Sequence, residues 1–261
     1  MRLAVAVVDG TQSEESVRTW VREDVPLVVV AADDPVALSG WTQVSSATHV
    51  VVLTRPETHS QAKLQTTIAA GQYPQVAFSV LEREVPLLAL AACGMTALES
   101  RADSTEVVAQ LQSMLETTHA GVWLRRVHRL RAPQPKFTQH LRSMLPGGRG
   151  YIAAMSPEPL VVASAAASGA IAEHAGHFVS EETGDPMARE VLTEIFGAEG
   201  DTLPAVGSTA ARYGSPGVEY VRLGRDDALP THSCPVCSLT VSGRVCPFCR
   251  ARLDHDSQET A

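Results

Sequence analysis

Apolar runs alternate with amphipathic segments along the first 120 residues. The apolar runs are continuous, which is typical of parallel strands that helices cover on both faces. The strands that these runs predict are residues 2–8, 26–32, 49–54, 76–82 and 86–92. The helices predicted between and after them are residues 13–23, 35–46, 58–71 and 104–118. The pattern therefore predicts an α/β fold built on a doubly wound, mostly parallel sheet.

The pattern breaks after residue 120 and then resumes. Residues 120–150 contain one predicted helix, 135–145, with an apolar stripe formed by Phe137, Leu141, Met144 and Leu145. A second, smaller α/β region follows. Its predicted strands are residues 159–163, 176–180 and 217–223, and its predicted helices are residues 164–175 and 186–196.

Composition agrees with a globular protein that has a core, since 44% of the 261 residues are hydrophobic and 19% are charged. The first apolar run is too short for the core of a signal peptide. No window of the sequence approaches the roughly eighteen uninterrupted apolar residues of a membrane span. We therefore expect a cytoplasmic protein with no membrane partner, in which thiols stay reduced.

Four of the five cysteines form two C-x2-C pairs separated by eight residues: Cys234, Cys237, Cys246 and Cys249. Two residues between cysteines let both thiolates of a tight turn reach one ion, and two such turns supply a tetrahedron of sulfur. The motif resembles the short zinc ribbons of bacterial proteins, over residues 232–252 only. The resemblance implies structural Zn2+ with a closed coordination shell and no catalysis at the metal.

The cysteine motif has three alternatives. Two disulfides are one, although a cytoplasmic chain disfavours them. A redox C-x-x-C pair is another, but such a pair normally lies beside the first helix of a βαβ unit. An iron centre of the rubredoxin type is the third, and it usually has a longer spacer and aromatic neighbours.

Charge is distributed unevenly in a chain whose formal net charge is −8. Residues 121–150 contain seven cations and no acid, whereas residues 1–120 contain seven cations and fourteen acids. The residues of this basic band that we expect to bind an anion or a partner are Arg125, Arg126, Arg129, Arg131, Lys136 and Arg142. The band is suited to an acidic protein surface or to nucleic acid phosphates, and the alternative is ion pairing with the acidic segments on either side.

Asp9, Thr11 and Ser13 directly follow the first predicted strand. Asp-x-Thr-x-Ser at this position resembles the metal-ion adhesion site of von Willebrand A domains, and the resemblance implies Mg2+ bound by these three side chains. That family also requires an Asp at the end of a later strand, and none follows strand 76–82. The alternative is that this Asp and Ser cap the first helix.

These features together predict five segments. They are a flavodoxin-like or Rossmann-like α/β domain, an arginine-rich connector, a second α/β region, a zinc ribbon and a disordered tail, at residues 1–119, 120–150, 151–226, 227–253 and 254–261.

The expected function is that of a non-enzymatic adaptor or regulatory protein that docks a protein partner through its zinc ribbon. One alternative is an enzyme with a pocket at the carboxyl end of the sheet near Asp9, with or without Mg2+. The other is a nucleic-acid-associated protein that uses the basic band and the ribbon. Fingerprints for dinucleotides, for nucleotide phosphates and for the hydrolase elbow are absent from the sequence.

Overall fold

The computed structural model describes residues 2–10, 17–19, 25–100, 106–145, 147–167, 176–197, 200–224, 231–242 and 245–253. The chain divides into two compact units. The first consists of Met1–Arg83, Cys93–Glu116 and Asp226–Ala261, and the second of Glu84–Ala92 and Thr117–Arg225. The domain boundaries predicted from the sequence remain predictions.

The first unit contains a five-stranded sheet in the order β2-β3-β1-β4-β5. Its strands are β1 (Leu3–Asp9), β2 (Val17–Thr19), β3 (Leu27–Ala31), β4 (His49–Thr54) and β5 (Ala77–Glu82). Strands β3, β1, β4 and β5 are parallel, and the short edge strand β2 is antiparallel to β3. All seven residues of β1 are buried, as expected for the central strand of a sheet with both faces covered. The predicted α/β fold class is confirmed.

Four helices belong to this part of the sequence: α1 (Ala37–Ser45), α2 (His59–Gln72), α3 (Leu87–Glu99) and α4 (Val107–Thr117). A 3-10 turn, Pro56–Thr58, precedes α2. Helix α4 coincides with the amphipathic segment predicted at 104–118, and its apolar stripe is buried.

Two predicted elements in this region are wrong. Residues 86–92, predicted as a strand, form the start of α3, because a continuous apolar run fits a fully buried helix as well as a buried strand. The residues from Leu88 to Cys93 are completely buried. Val17–Thr19, inside the helix predicted at 13–23, forms strand β2, and the rest of that prediction lies outside the described residues.

The second unit contains a six-stranded sheet in the order β10-β9-β11-β6-β7-β8. Its strands are β6 (His119–Leu124), β7 (Tyr151–Ser156), β8 (Leu160–Ala163), β9 (His177–Glu181), β10 (Asp201–Leu203) and β11 (Gly217–Leu223). All neighbours are antiparallel except β9 and β10. Strand β6 is central in this sheet, although the sequence placed most of it in the arginine-rich connector.

The second unit also contains α5 (Phe137–Ser143), α6 (Pro186–Phe196) and α7 (Thr209–Tyr213). Helix α6 begins and ends where the sequence predicts: the Asp185 side chain accepts from the N–H groups of Met187 and Ala188, and Gly197 ends the helix at φ 71°. Of the helix predicted at 164–175, Ser164–Ala166 is a 3-10 turn, and residues 168–175 lie outside the described part.

Aromatic side chains build the core of the second unit around Trp123 and Tyr220, which are almost completely buried. Phe196 stacks on Phe178 with ring centroids 4.6 Å apart, and its centroid lies 4.9 Å from that of Tyr220. The first unit, in contrast, is filled mainly by valine, leucine and alanine.

The cysteine motif folds into a short antiparallel pair, β12 (Thr231–Ser233) and β13 (Thr240–Ser242), together with a bridge between Val245 and Arg252. None of the helices in the described part of the chain has the length and hydropathy needed to span a bilayer.

Candidate functional site

The strand order of the first sheet creates a switch point between β1 and β4. The chain leaves β1 toward β3 on one side and later returns to β4 on the other side. In open α/β sheets, ligands bind in the crevice outside the carboxyl ends of strands at such a point. Asp9 ends β1 and Thr54 ends β4, and both side chains are buried.

Polar side chains from the turn after β4 converge at this edge. The hydroxyl oxygens of Thr54 and Thr58 are 2.8 Å apart and share a hydrogen bond. Arg55, only 9% exposed, donates from its guanidinium to Glu57 over 3.0 Å. Both hydroxyls donate to the backbone carbonyl of Arg55, over 3.1 and 3.4 Å. Hydroxyl and guanidinium groups are donors that suit a carboxylate or phosphate oxygen. Sequence reasoning missed this set.

The loop after β1 approaches the same turn closely. A Cβ atom added at Gly10 would lie 2.8 Å from Cγ2 of Thr58, so only glycine fits there without a shift. Of the three side chains predicted to bind Mg2+, Asp9 lies at this edge, and Thr11 and Ser13 fall outside the described residues. The Mg2+ site therefore remains a prediction.

The structure brings together the four cysteines that the spacing predicted to share one ion. One Sγ atom from each of Cys234, Cys237, Cys246 and Cys249 lies within 4.8 Å of the others. Cys234 Sγ is 3.3 Å from Cys249 Sγ, and Cys237 Sγ is 3.5 Å from Cys246 Sγ. Four sulfur donors at these distances are positioned to bind a metal ion.

The two cysteine turns repeat the same backbone geometry. Ser238 N–H donates to the carbonyl of Cys234, and Arg250 N–H donates to that of Cys246. Ser238 and Arg250, each directly after the second cysteine of its pair, adopt the left-handed conformation with φ of 60° and 63°. Burial opposes ionisation of the Cys234 thiol, but N–H groups of Cys237 and Val236 outweigh it and lower the pKa to about 6.

The second cysteine turn contacts the sheet of the first unit. The ring of Phe248 meets that of His49 edge-on, with centroids 5.5 Å apart and planes at 80°. His49 is the first residue of β4, whereas Thr54 is its last. The cysteine cluster thus lies toward the amino edge of this sheet, and the threonine pair lies at the opposite edge.

The predicted basic band is divided between paired and unpaired cations. Arg125 pairs with Asp185 over 3.0 Å, and Arg149 pairs with Glu190 and Glu194 over 2.9 and 2.7 Å. The other five cations are exposed and form no ion pair with any described residue: Arg126, Arg129, Arg131, Lys136 and Arg142. Among the described residues, intramolecular pairing therefore accounts for two members of the band.

A buried charged cluster in the second unit was missed by sequence reasoning. Glu219, completely buried on β11, accepts hydrogen bonds from the Arg212 guanidinium and, over 2.7 Å, from the Tyr213 hydroxyl. Its other oxygen accepts from the Leu88 N–H in the first turn of α3 over 2.8 Å. The one available signal was a glutamate inside the mostly apolar run GVEYVRL, which also contains Arg222.

A second carboxyl group lies beside Glu219. Glu181, on the neighbouring strand β9, accepts from the Glu219 N–H over 3.0 Å. Burial, followed by the charge of Glu219, raises the pKa of Glu181 to about 8. This carboxyl is therefore mostly protonated at neutral pH.

No protein-family model and no curated protein matches this sequence. Solved structures do match it. A DegV family protein from Corynebacterium glutamicum aligns over 88% of this chain and 99% of its own length, with a TM-score of 0.58 and 13% identity. This chain has a DegV-like fold.

Two further structures with this fold were solved with fatty acids. A DegV family protein from Eubacterium eligens, loaded with heptadecanoic acid, aligns over 85% of this chain and 100% of its own, with a TM-score of 0.57 and 11% identity. The fatty acid kinase B3 protein of Streptococcus pneumoniae, loaded with linoleic acid, aligns over 85% and 99%, with a TM-score of 0.58 and 14% identity.

The DegV-like fold corrects the function expected from the sequence. The hypothesis of an adaptor that docks its partner through a zinc ribbon is wrong, because the likeness covers most of the chain and relates it to proteins solved with fatty acids. The enzyme and nucleic-acid alternatives gain no support from these structures. The α/β description also becomes more specific: DegV-like in place of Rossmann-like.

Proposed function

We propose that this protein binds a long-chain fatty acid. The observation that carries the proposal is the DegV-like fold, which extends over 85% of the chain in the comparisons with two proteins loaded with heptadecanoic and linoleic acid. The donor set at the switch point of the first sheet supports it, because such an edge is where open α/β sheets bind ligands.

In this proposal the carboxylate of the fatty acid binds at the end of β4. The Thr54 and Thr58 hydroxyls bond to each other and donate to the Arg55 carbonyl, so a bound carboxylate would replace that carbonyl as the acceptor of one hydroxyl proton. Arg55, the next residue in the chain after Thr54, supplies a positive charge whose present partner is Glu57. A charge-assisted hydrogen bond of this type contributes about 1.5–3 kcal/mol, or about 10–100-fold in affinity.

The experiment is calorimetric titration of the delipidated full-length protein with heptadecanoic acid. We expect saturable binding that weakens about tenfold or more in Arg55→Leu and, to a smaller extent, in Thr54→Val. Arg125→Leu and Thr67→Val are the matched controls, because Arg125 is an exposed arginine in the second unit that also pairs with an acid, and the Thr67 hydroxyl bonds within its own helix.

Weaker binding by these variants could come from lost head-group contacts or from misfolding. Changing the head group of the ligand, while keeping the protein unaltered, tests the head-group contacts alone. Heptadecanol has the same chain without the carboxylate, and we expect the unaltered protein to bind it about tenfold or more weakly. Equal affinity for the acid and the alcohol would contradict the head-group assignment. Absence of saturable acid binding by the unaltered protein would contradict the function itself.

We also propose that Cys234, Cys237, Cys246 and Cys249 hold structural Zn2+. Tetrahedral four-sulfur coordination is the usual form of a structural zinc site, and its closed shell leaves no position for water. Bound zinc would stabilise a module with little apolar core of its own. Reduced thiols of this kind fit a cytoplasmic location.

Metal analysis of the purified protein tests the zinc proposal. We expect about one zinc per chain, lost together with thermal stability in Cys237→Ser but retained in Cys93→Ala, a buried cysteine outside the cluster. Stoichiometric iron in place of zinc, or unchanged metal content in Cys237→Ser, would refute the assignment.

We also propose a protein partner, one that recognises the fatty-acid-bound protein and does not dock through the zinc ribbon. The Streptococcus pneumoniae protein with this fold is a fatty acid kinase B3 protein. By analogy, we propose that a partner of this chain acts on the bound acyl ligand. Binding of a candidate kinase only to the acyl-loaded protein supports this proposal, and equal binding to the ligand-free protein contradicts it.

A further inference from the structure

Helix α5 exposes its apolar stripe and buries a polar side. Its stripe comprises Phe137, Leu141, Met144 and Leu145, which are 75%, 50%, 52% and 67% exposed. On the opposite side Ser143 is buried, and Gln139 donates from its side-chain amide to the Val161 carbonyl over 2.7 Å. A helix on the surface of a globular protein normally shows the reverse arrangement. The exposed stripe is therefore a surface built to contact something else.

Cations surround this stripe. Lys136 and Arg142 lie at the two ends of α5, and the turn that contains Arg126, Arg129 and Arg131 lies beside it. The second placement follows from His128 and His140, whose ring centroids are 6.5 Å apart. The pKa of His128 is lowered, first by burial and then by Arg129 and Arg126, as expected in a region of positive potential.

Acidic residues are absent from this stretch of sequence, since residues 121–150 contain none. The five cations around α5 form no ion pair with the described residues, whereas Arg125 and Arg149 are paired. The α5 surface, defined as the exposed stripe together with these five cations, thus presents positive charge that no described acid pairs with, around protruding apolar side chains. Its charge is complementary to a negatively charged partner.

We propose that the α5 surface docks the protein on the surface of a membrane that contains anionic lipids. Phe137 and Leu141 enter the boundary between head groups and acyl chains, while the long arginine and lysine side chains reach the phosphates above them. A short helix with a few protruding apolar residues and a cationic rim suits such shallow insertion better than the flat, well-packed contact of two proteins. This docking is peripheral and requires no membrane-spanning helix. It does not depend on fatty acid binding by the first unit.

The test is co-sedimentation of the full-length protein with vesicles of phosphatidylcholine alone and of phosphatidylcholine mixed with phosphatidylglycerol. We expect binding to the mixed vesicles that decreases as salt is raised, and little binding to phosphatidylcholine. Each Lys or Arg near an anionic surface contributes about fivefold in partitioning, so a triple Arg126→Gln, Arg129→Gln, Arg131→Gln variant should bind ~100-fold more weakly.

Two matched pairs of variants separate the α5 surface from general effects. Phe137→Ser with Leu141→Ser should weaken vesicle binding about tenfold or more, whereas Leu64→Ser, at a comparably exposed position on α2, should not. Lys63→Gln, at an exposed position on α2, serves as the charge control on the first unit. All variants change exposed positions, so we expect unaltered circular dichroism spectra.

A gain-of-signal variant covers the case in which a serine variant misfolds. Tryptophan at position 137, in Phe137→Trp, should be quenched by vesicles of brominated phosphatidylglycerol only if the α5 surface inserts. The proposal is overturned if the unaltered protein ignores phosphatidylglycerol, or if Phe137→Trp is not quenched on bound vesicles. It is equally overturned if the stripe variants leave vesicle binding intact and instead dissolve a self-association seen by ultracentrifugation.

Discussion

Gln65 in the first unit and Glu219 in the second are both long polar side chains with no exposed surface. Gln65 donates from its amide nitrogen to the carbonyls of Ala31 and Asp34 over 2.6 and 2.8 Å, and so links α2 to the end of β3. Glu219 links β11 to α7 and to the first turn of α3. The two residues do the same structural job with different charge.

The difference in charge has an energetic consequence. An amide needs only hydrogen-bonding partners in the interior, whereas a buried carboxylate also needs a compensating positive charge. Arg212 provides that charge for Glu219. The adjacent Glu181 is mostly protonated at neutral pH, because burial and the charge of Glu219 raise its pKa to about 8. We therefore expect the stability of the second unit to respond more strongly than that of the first to pH and to the removal of a charged side chain.

The largest expected effect is that of Arg212→Leu. Removing one partner of a buried ion pair leaves an uncompensated charge, which costs about 3–5 kcal/mol in the free energy of unfolding. The matched control is Arg125→Leu, which breaks an ion pair whose arginine is 56% exposed, and which we expect to cost no more than about 1 kcal/mol. Urea unfolding measures both. If Arg212→Leu lowered the free energy of unfolding as little as the control does, the second unit would not depend on its buried charge as we expect.

Gln65→Leu should have a smaller effect because no charge is left behind. The carbonyl of Ala31 loses its side-chain donor in the interior, and an unsatisfied buried acceptor costs about 1–3 kcal/mol. Gln61→Leu, on the exposed side of the same helix, is the control and should change stability by less than about 0.5 kcal/mol. If Gln65→Leu exceeded Arg212→Leu in the same urea experiment, the ranking of neutral and charged links would be reversed.

The change in the free energy of unfolding per pH unit is the smallest expected effect. The pKa of Glu181 is about 8 in the folded protein against 4.5 as its ordinary value. Between these values the folded state holds a proton that the unfolded state has released, so this group makes stability fall as pH rises from 4.5 toward 8. The slope is at most about 1.4 kcal/mol per pH unit.

Glu181→Gln removes this titration and should flatten the slope, while Glu182→Gln, at the exposed neighbouring position, should leave it in place. Unfolding midpoints measured across this range of pH distinguish the two variants. The groups that face Glu181 are Glu219 and Arg212. An identical slope in Glu181→Gln and the unaltered protein would assign the pH dependence to other residues.

The parallel sheet was predictable because its strands are covered on both faces, and their continuous apolar runs record that burial. The same property produced the error at Leu87–Cys93, where a helix is buried all round and carries no polar side to mark its period. Strand β6 was hidden because its apolar residues run directly into the arginines of the basic band. Local pattern cannot separate these cases without knowledge of the neighbours in space.

The candidate sites also differ in whether local sequence could predict them. The cysteine cluster was predictable because all its ligands lie within sixteen consecutive residues, at positions 234–249. The threonine pair has no distinctive spacing, and its importance comes from the strand order, which brings the ends of β1 and β4 together. No short motif in this sequence indicates the DegV-like fold. The functional hypothesis was therefore based on the cysteine motif, which covers only a small part of the chain.

The division of the chain into segments has a consequence for protein synthesis. The first unit combines segments from early and late in the sequence, and the second unit's segments lie between them. On the ribosome, every residue of the second unit is therefore synthesised before Asp226, when the first unit still lacks its last segment. The ring contact between Phe248 and His49 can form only after that last segment has been synthesised. Translation that is slowed or cut short near residue 226 would release a chain with a finished second unit and an unfinished first one.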